Sequence, residues 1–182
     1  MELCGLNLEK RISSKRIYEG NVLNLRVDEV KVENGRITRR EVVEHRGAAA
    51  IVPILDDGDV ILVRQYRYSI QSDLLEIPAG TLQADEEPSD CARRELEEET
   101  GYRCGEIVKL LECFVAPGYS TEKIHVFLAR NLTKTQTRMD EDEIINVERV
   151  KFSEAIGRIR AGEIQDAKSI VGLRAAESLI KG

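Results

Sequence analysis

The sequence predicts an α/β fold of the α+β type, rich in strands over its first half and helical toward its end. Three observations carry that expectation. Asn34-Gly35 and Asp57-Gly58 each stand between apolar runs, the signal of a tight hairpin. The run AAAIVPIL over Ala48–Leu55 is almost wholly apolar, as a strand covered on both faces must be. Pro88 and Gly101 bracket a helix-length segment, proline suiting a first helical turn and glycine the position just past the last.

The elements follow in order. Residues 16–45 read as an extended, partly irregular β element. Leu23, Leu25 and Val27 alternate, and Val30 and Val32 alternate in the opposite phase, which a bulge at Asp28–Glu29 would produce. Asn34-Gly35 then leads into a strand over Ile37–Glu44. Ala48–Leu55 is the buried strand, and Asp57-Gly58 turns it back into Val60–Tyr68. Leu74–Pro78 is a short strand or edge segment that delivers the chain to Gly80. The helix is predicted over Pro88–Thr100, with Cys91, Ala92 and Leu96 facing the core. Ile107–Val115 and Lys123–Arg130 read as strands, and Thr133–Glu143 as a polar, acidic loop. Ser153 opens a second helix that stops near Ala161-Gly162. A third is expected over Asp166–Lys181, with Ala167, Ile170, Val171, Leu173, Ala175 and Leu179 as core contacts.

At 182 residues the chain suits one well-buried domain with a small accessory element, divided as residues 1–45 and 46–182. The balance of 27 Lys+Arg against 33 Asp+Glu, net −6, argues against an extended nucleic-acid surface, so no nucleic-acid partner is expected. No apolar run reaches membrane-spanning length and the first residues lack the apolar core of a signal peptide, so no membrane partner is expected either. Cys4, Cys91, Cys104 and Cys113 show no C-x-x-C spacing, which fits reduced thiols and a cytoplasmic protein.

The chemistry concentrates between Gly80 and Tyr102. Glu95, Glu97, Glu98 and Glu99 crowd the last turns of the predicted helix, the end whose partial charge is already negative. Glu95 lies one turn from both Glu98 and Glu99, where like charges repel by about 0.2–0.5 kcal/mol per pair. A hard divalent cation relieves that repulsion, because Mg²⁺ takes carboxylate oxygens. Gly80 and Gly101 permit backbone conformations other residues resist. Arg94 can bridge carboxylates and fix their orientation while remaining charged. Glu97 points away from Glu95 and is expected to be a solvated charge.

Gly80, Glu86, Arg94-Glu95-Leu96, Glu98-Glu99, Gly101 and Tyr102 stand in the pattern G-x5-E-x7-R-E-U-x-E-E-x-G-U, where U is a bulky apolar residue. This resembles the Nudix hydrolases, enzymes that split a nucleoside diphosphate linked to another moiety. Tyr102 is the one unusual position, since aliphatic residues are commoner there. The resemblance implies an α/β/α sandwich around a mixed sheet. It also implies Mg²⁺, with Mn²⁺ as a possible substitute, held by Glu95, Glu99 and the backbone carbonyl of Ala79, with Glu98 supporting the cluster.

Pro117 downstream of Gly101, with Gly118 and Glu122 after it, is similar to the marker of the ADP-ribose pyrophosphatase branch. Arg39-Arg40-Glu41 and Val63-Arg64-Gln65-Tyr66-Arg67 are also similar to that branch. The resemblance places Arg40, Glu41, Arg67, Pro117, Gly118 and Glu122 at the substrate, Arg40 reaching it from a partner subunit. It therefore implies a homodimer with shared active sites, joined through the N-terminal β element. In the acidic loop Asp140–Glu143 it places a general base at Glu141 and a metal contact at Glu143; a one-residue gap would exchange the two. Asn21 stands where some members of the branch carry an aromatic that stacks on adenine, so either Tyr18, Tyr66 or Tyr119 supplies the ring or base selectivity is weaker.

The reaction implied is Mg²⁺-dependent hydrolysis of ADP-ribose to AMP and ribose 5-phosphate. Within the same chemistry the alternative is another nucleoside diphosphate sugar such as GDP-mannose. From another class comes a silent nucleotide sensor on the same fold, which the full set of box glutamates argues against. His45 and His125 read as strand residues, Cys91 as a small apolar helix contact, and Tyr68 and Phe114 as core.

Overall fold

The structure is a computed structural model and describes residues 9–135 and 145–180. The chain forms two compact units. One comprises residues up to 46 together with 116–122, and the other comprises 47–115 with 123 onward.

The first unit is a three-stranded antiparallel sheet, β1 (Glu9–Glu19), β2 (Asn24–Val32) and β3 (Ile37–Glu44), in that order. The Asn34-Gly35 turn joins β2 to β3, with Gly35 at φ 83° where a side chain would be strained. The expected bulge at Asp28–Glu29 is absent, since β2 pairs with β3 in unbroken register. The irregularities lie in β1, where Ile12 and Ile17 are each an extra residue against β2. The change of phase in β2 has an ionic cause. Arg26, Asp28 and Val30 share one face, on which buried Asp28 accepts from Arg26 (3.0 Å) and from Ser14 Oγ (2.6 Å). Arg26 and Arg16 both pair with Glu44. The loop 116–122 joins this unit through a bridge between Val43 and Ser120.

The second unit carries a four-stranded sheet in the order β7 (Ala79–Thr81), β4 (Ala48–Pro53), β9 (Lys123–Lys134), β8 (Tyr102–Phe114). β4 and β9 run parallel and the other pairs antiparallel, so the sheet is mixed. A second sheet orders β10 (Ile145–Lys151), β5 (Asp59–Arg67) and β6 (Ser72–Glu76). Every residue of β4 is buried, and its alternation feeds two cores. Ala49 and Ile51 pack with Cys91, Ala92 and Leu96 of α1 (Pro88–Thr100), while Ala50 and Val52 pack with α2 (Phe152–Ala161) and α3 (Ala167–Ile180). Helices thus cover both faces of the sheet, as the all-apolar strand required, in the sandwich that the resemblance implied. Burying a leucine such as Leu96 contributes roughly 1.5–3 kcal/mol.

Several expectations are corrected. β1 begins before the β element expected from residue 16, and strand β10 was not foreseen. Tyr68 (82% exposed) and Phe114 (56% exposed) lie at the surface, and Lys123 stacks over the Phe114 ring. The α3 core face is Ser169, Gly172, Leu173 and Ala176, whereas Ala167 and Leu179 are exposed. No helix among the described residues is long and apolar enough to cross a membrane.

Candidate active site

Strand β7 and helix α1 build the site together. β7 pairs with β4 through Ala50–Ala79, Ala49–Gly80 and Ala48–Thr81, which fixes the strand edge. Pro88 opens α1, and Gly101 closes it in the left-handed conformation (φ 70°), its N–H donating to Glu97 O. Cys91, Ala92 and Leu96 anchor one face, and Glu95 and Glu99 come against β7, while Glu98 lies one turn from Arg94 and bonds to it.

The closeness of that approach explains the first glycine of the box. A Cβ at Gly80 would lie 1.8 Å from Glu95 Oε1, so only hydrogen leaves room for the carboxylate. Glu99 is buried and accepts a hydrogen bond from the Ala79 N–H at 3.2 Å. Arg94 threads the acids: Nε and Nη2 donate to the two Glu86 oxygens (2.9 and 3.1 Å), and Nη1 donates to Glu95 (2.7 Å) and Glu98 (2.8 Å). The paired Glu86 holds the guanidinium pKa above its ordinary value, and the same bond holds the Glu86 carboxyl below its own. Arg94 therefore supplies part of the charge that the crowded acids require. Glu97 faces the other way, as its helical phase predicted, but is paired rather than simply solvated: Arg103 stands 2.7 Å from it.

These residues fit a hard divalent cation in kind. The donors are carboxylate oxygens on one helix beside a backbone held open at Gly80, a set that suits Mg²⁺ rather than a soft metal. Among the described residues no group of three or more His, Cys, Asp or Glu is arranged to hold an ion. Arg94 bonds both Glu95 and Glu98, so a cation would share their oxygens with it. Octahedral coordination would draw its remaining ligands from water, substrate or elsewhere in the chain. Glu141 and Glu143, the predicted base and additional metal contact, lie outside the described residues.

Arg67, at the end of β5, makes a bidentate pair with Glu76 (Nε 2.8 Å, Nη2 2.7 Å). Its guanidinium pKa is held above the ordinary value, first by the bond to Glu76 and in lesser part by the Glu99 charge. Glu76 was missed by the sequence reading; its signal is a lone acid inside the apolar LLEIP run.

The first unit holds the other predicted substrate residues. Arg40 and Glu41 are exposed on β3, Arg40 Nε donating to Glu9 at 3.0 Å. Pro117 and Gly118 form a turn in which the Tyr119 and Ser120 N–H groups donate to Ala116 O, and the Glu122 N–H donates to Ser120 Oγ. Tyr18, Tyr66 and Tyr119 are all exposed, as a stacking ring must be, which leaves the choice among them open. His125 is a strand residue 3.2 Å from Glu112, and Cys91 is fully buried with its thiol pKa pushed up to about 12 by burial.

Comparison with known proteins agrees with this architecture. The NUDIX domain matches residues 44–171, and the nucleoside diphosphate sugar hydrolase N-terminal domain matches residues 9–43. An ADP-ribose pyrophosphatase of Bacillus subtilis is 38% identical over 168 residues, 91% of each chain. One of Mycobacterium tuberculosis is 37% identical, covering 94% of this chain and 84% of its own. A GDP-mannose pyrophosphatase of Pectobacterium atrosepticum is 36% identical over 96% of this chain and 94% of its own. The solved structure of an ADP compounds hydrolase superposes with a TM-score of 0.84 at 23% identity, over 98% and 97% of the two chains, a likeness of fold. With the box running from β7 through α1, its acids threaded by one arginine and relatives of this kind along nearly its whole length, the chain is a Nudix hydrolase and belongs to the branch of ADP-ribose and nucleoside diphosphate sugar pyrophosphatases.

Proposed function

We propose that the protein hydrolyses the pyrophosphate bond of ADP-ribose, giving AMP and ribose 5-phosphate. The observation that carries the reading is the Glu86–Arg94–Glu95–Glu98 cluster held against Ala79 and Gly80, with Glu99 behind it. Glu95, Glu99, Glu143 and the Ala79 carbonyl would hold Mg²⁺, or Mn²⁺ in its place. Bound there, the ion supplies positive charge to phosphoryl oxygens and acidifies water. Arg94 keeps Glu95 and Glu98 oriented, so the acids need not reorganise as charge develops on the substrate. Arg67 neutralises a phosphoryl oxygen. Glu141 takes the proton of the attacking water as the new P–O bond forms and the bridging P–O bond breaks. Arg40 and Glu41, with the turn at Pro117, Gly118 and Glu122, would bind the remainder of the substrate, Arg40 serving the site of a partner chain in a homodimer.

The second reading is a different nucleoside diphosphate sugar. It is favoured by the similarity to a GDP-mannose pyrophosphatase, nearly equal to that of the ADP-ribose enzymes. A hydrolysis panel of nucleoside diphosphate sugars with Mg²⁺ and product identification decides between them. ADP-ribose should give the highest kcat/KM, with AMP and ribose 5-phosphate as products. A higher value for GDP-mannose would transfer the assignment, and binding without any product would leave only a sensor.

A further inference from the structure

Glu76 is 1% exposed and stands between buried Leu75 and Ile77, a position where an unpaired carboxylate would be strongly unfavourable. Two cations from different elements compensate it, Arg67 from β5 and Lys168 from α3. Lys168 also pairs with Asp166 at 3.0 Å. Asp166 accepts from the Ser169 N–H (2.9 Å) and hydroxyl (2.6 Å), and Ser169 Oγ accepts from the Ile77 N–H (2.8 Å). Side chain and following backbone of Glu76 are thus both tied to the start of α3. Burial alone would push the Glu76 carboxyl pKa up, yet Arg67 and Lys168 hold it below the ordinary value, so the group is anionic.

The pair with Arg67 is unequal in a way that suggests use. Glu76 is sealed, while the Arg67 side chain keeps 37% exposure. The Nε–Nη2 edge of the guanidinium is spent on the two Glu76 oxygens in a fork, which fixes the plane of the group as a lysine could not. Nη1 makes no hydrogen bond to any described residue, and the Glu99 carboxylate lies within electrostatic reach. A long, flexible cation is thereby held in one orientation before any ligand arrives. Ordering such a side chain is otherwise a cost of binding.

We propose that Glu76 is the positioning residue for Arg67, holding its guanidinium so that the outward edge meets a phosphoryl oxygen of the nucleoside diphosphate sugar. This rests on the reading above that Arg67 binds substrate.

The test is a double-mutant cycle in kcat and KM for ADP-ribose with Mg²⁺, using Glu76→Gln, Arg67→Ala and the double variant. Glu76→Gln should raise KM about tenfold, the cost of ordering one long side chain, with kcat little changed. In the Arg67→Ala background the same substitution should leave KM unchanged, because nothing remains to be positioned. A merely structural Glu76 would shift the parameters equally in both backgrounds, and that result overturns the proposal. If Glu76→Gln does not fold, as judged by circular dichroism, Glu76→Asp keeps the charge but not the reach for two parallel bonds, and is read in the same cycle. An inactive wild type would overturn both readings, whereas an active wild type with additive changes overturns this one alone.

Discussion

Gly80 and Arg94 set the chemistry of the site through opposite means, one by having no side chain and the other by filling the space between three acids. The atom that a Gly80 Cβ would strike is the far end of Glu95, a flexible side chain that can swing aside at little cost. Gly80→Ala should therefore leave stability within about 1 kcal/mol, the range of ordinary surface changes. Moving Glu95 should nevertheless cut turnover at least tenfold, as displaced ligands do. Melting temperature and kcat measured on one preparation check both; a large loss of stability with normal turnover would assign Gly80 to the fold alone. The acids of the box were legible in the sequence because Arg94, Glu95, Glu98 and Glu99 lie on one helix, where spacing sets direction. Glu76 was not legible in the same way, since its partners Arg67 and Lys168 come from another strand and a distant helix. Glu141 and Glu143 remain where the sequence left them, outside the described residues.

Among the elements, glycines in two helices have opposite meanings. Gly172 lets α3 lie close on the sheet: a Cβ there would meet Ile77 at 2.9 Å, Val126 at 3.1 Å and Val52 at 3.2 Å. Gly157 of α2 is exposed, with nothing within 4 Å of such an atom. Gly172→Leu should destabilise by about 1–3 kcal/mol through overpacking. Gly157→Ala should stabilise by roughly 0.5–1 kcal/mol by removing backbone entropy from the unfolded chain. Urea unfolding of both variants decides; equal effects would contradict the packing described for α3. Element boundaries were readable wherever the chain carries its own punctuation, as at Pro88 and Gly101 or Asn34-Gly35. Strand β1 carries none, because all of it is exposed and no apolar alternation marks it. The α3 face was read only in part for a related reason: Ile170 and Leu173 pack on the core as expected, but the contact surface also uses Ser169 and Gly172, which hydropathy does not count as core.

At the scale of the whole molecule, the proposed assembly turns on the N-terminal sheet, whose strand β1 is exposed throughout. Ile12, Ile17 and Ile37 are all solvent-exposed in the single chain, an apolar complement that a second copy would cover. The proposed homodimer predicts a two-chain mass by sedimentation at micromolar concentration. A fully active monomer would contradict a shared site and the role given to Arg40. With a net charge of −6, the proposed phosphate-bearing substrate would have to be met by local cations, Arg67 among those proposed, and by the proposed metal.

The most direct test of the account is a Mn²⁺ titration, read by electron paramagnetic resonance, with a non-cleavable ADP-ribose analogue present. Wild-type protein should bind the ion, and Glu95→Gln and Glu99→Gln should each weaken binding by more than about a hundredfold, beyond what an outer partner of a metal site contributes. Undiminished Mn²⁺ affinity in both variants, with their folds intact, would contradict it.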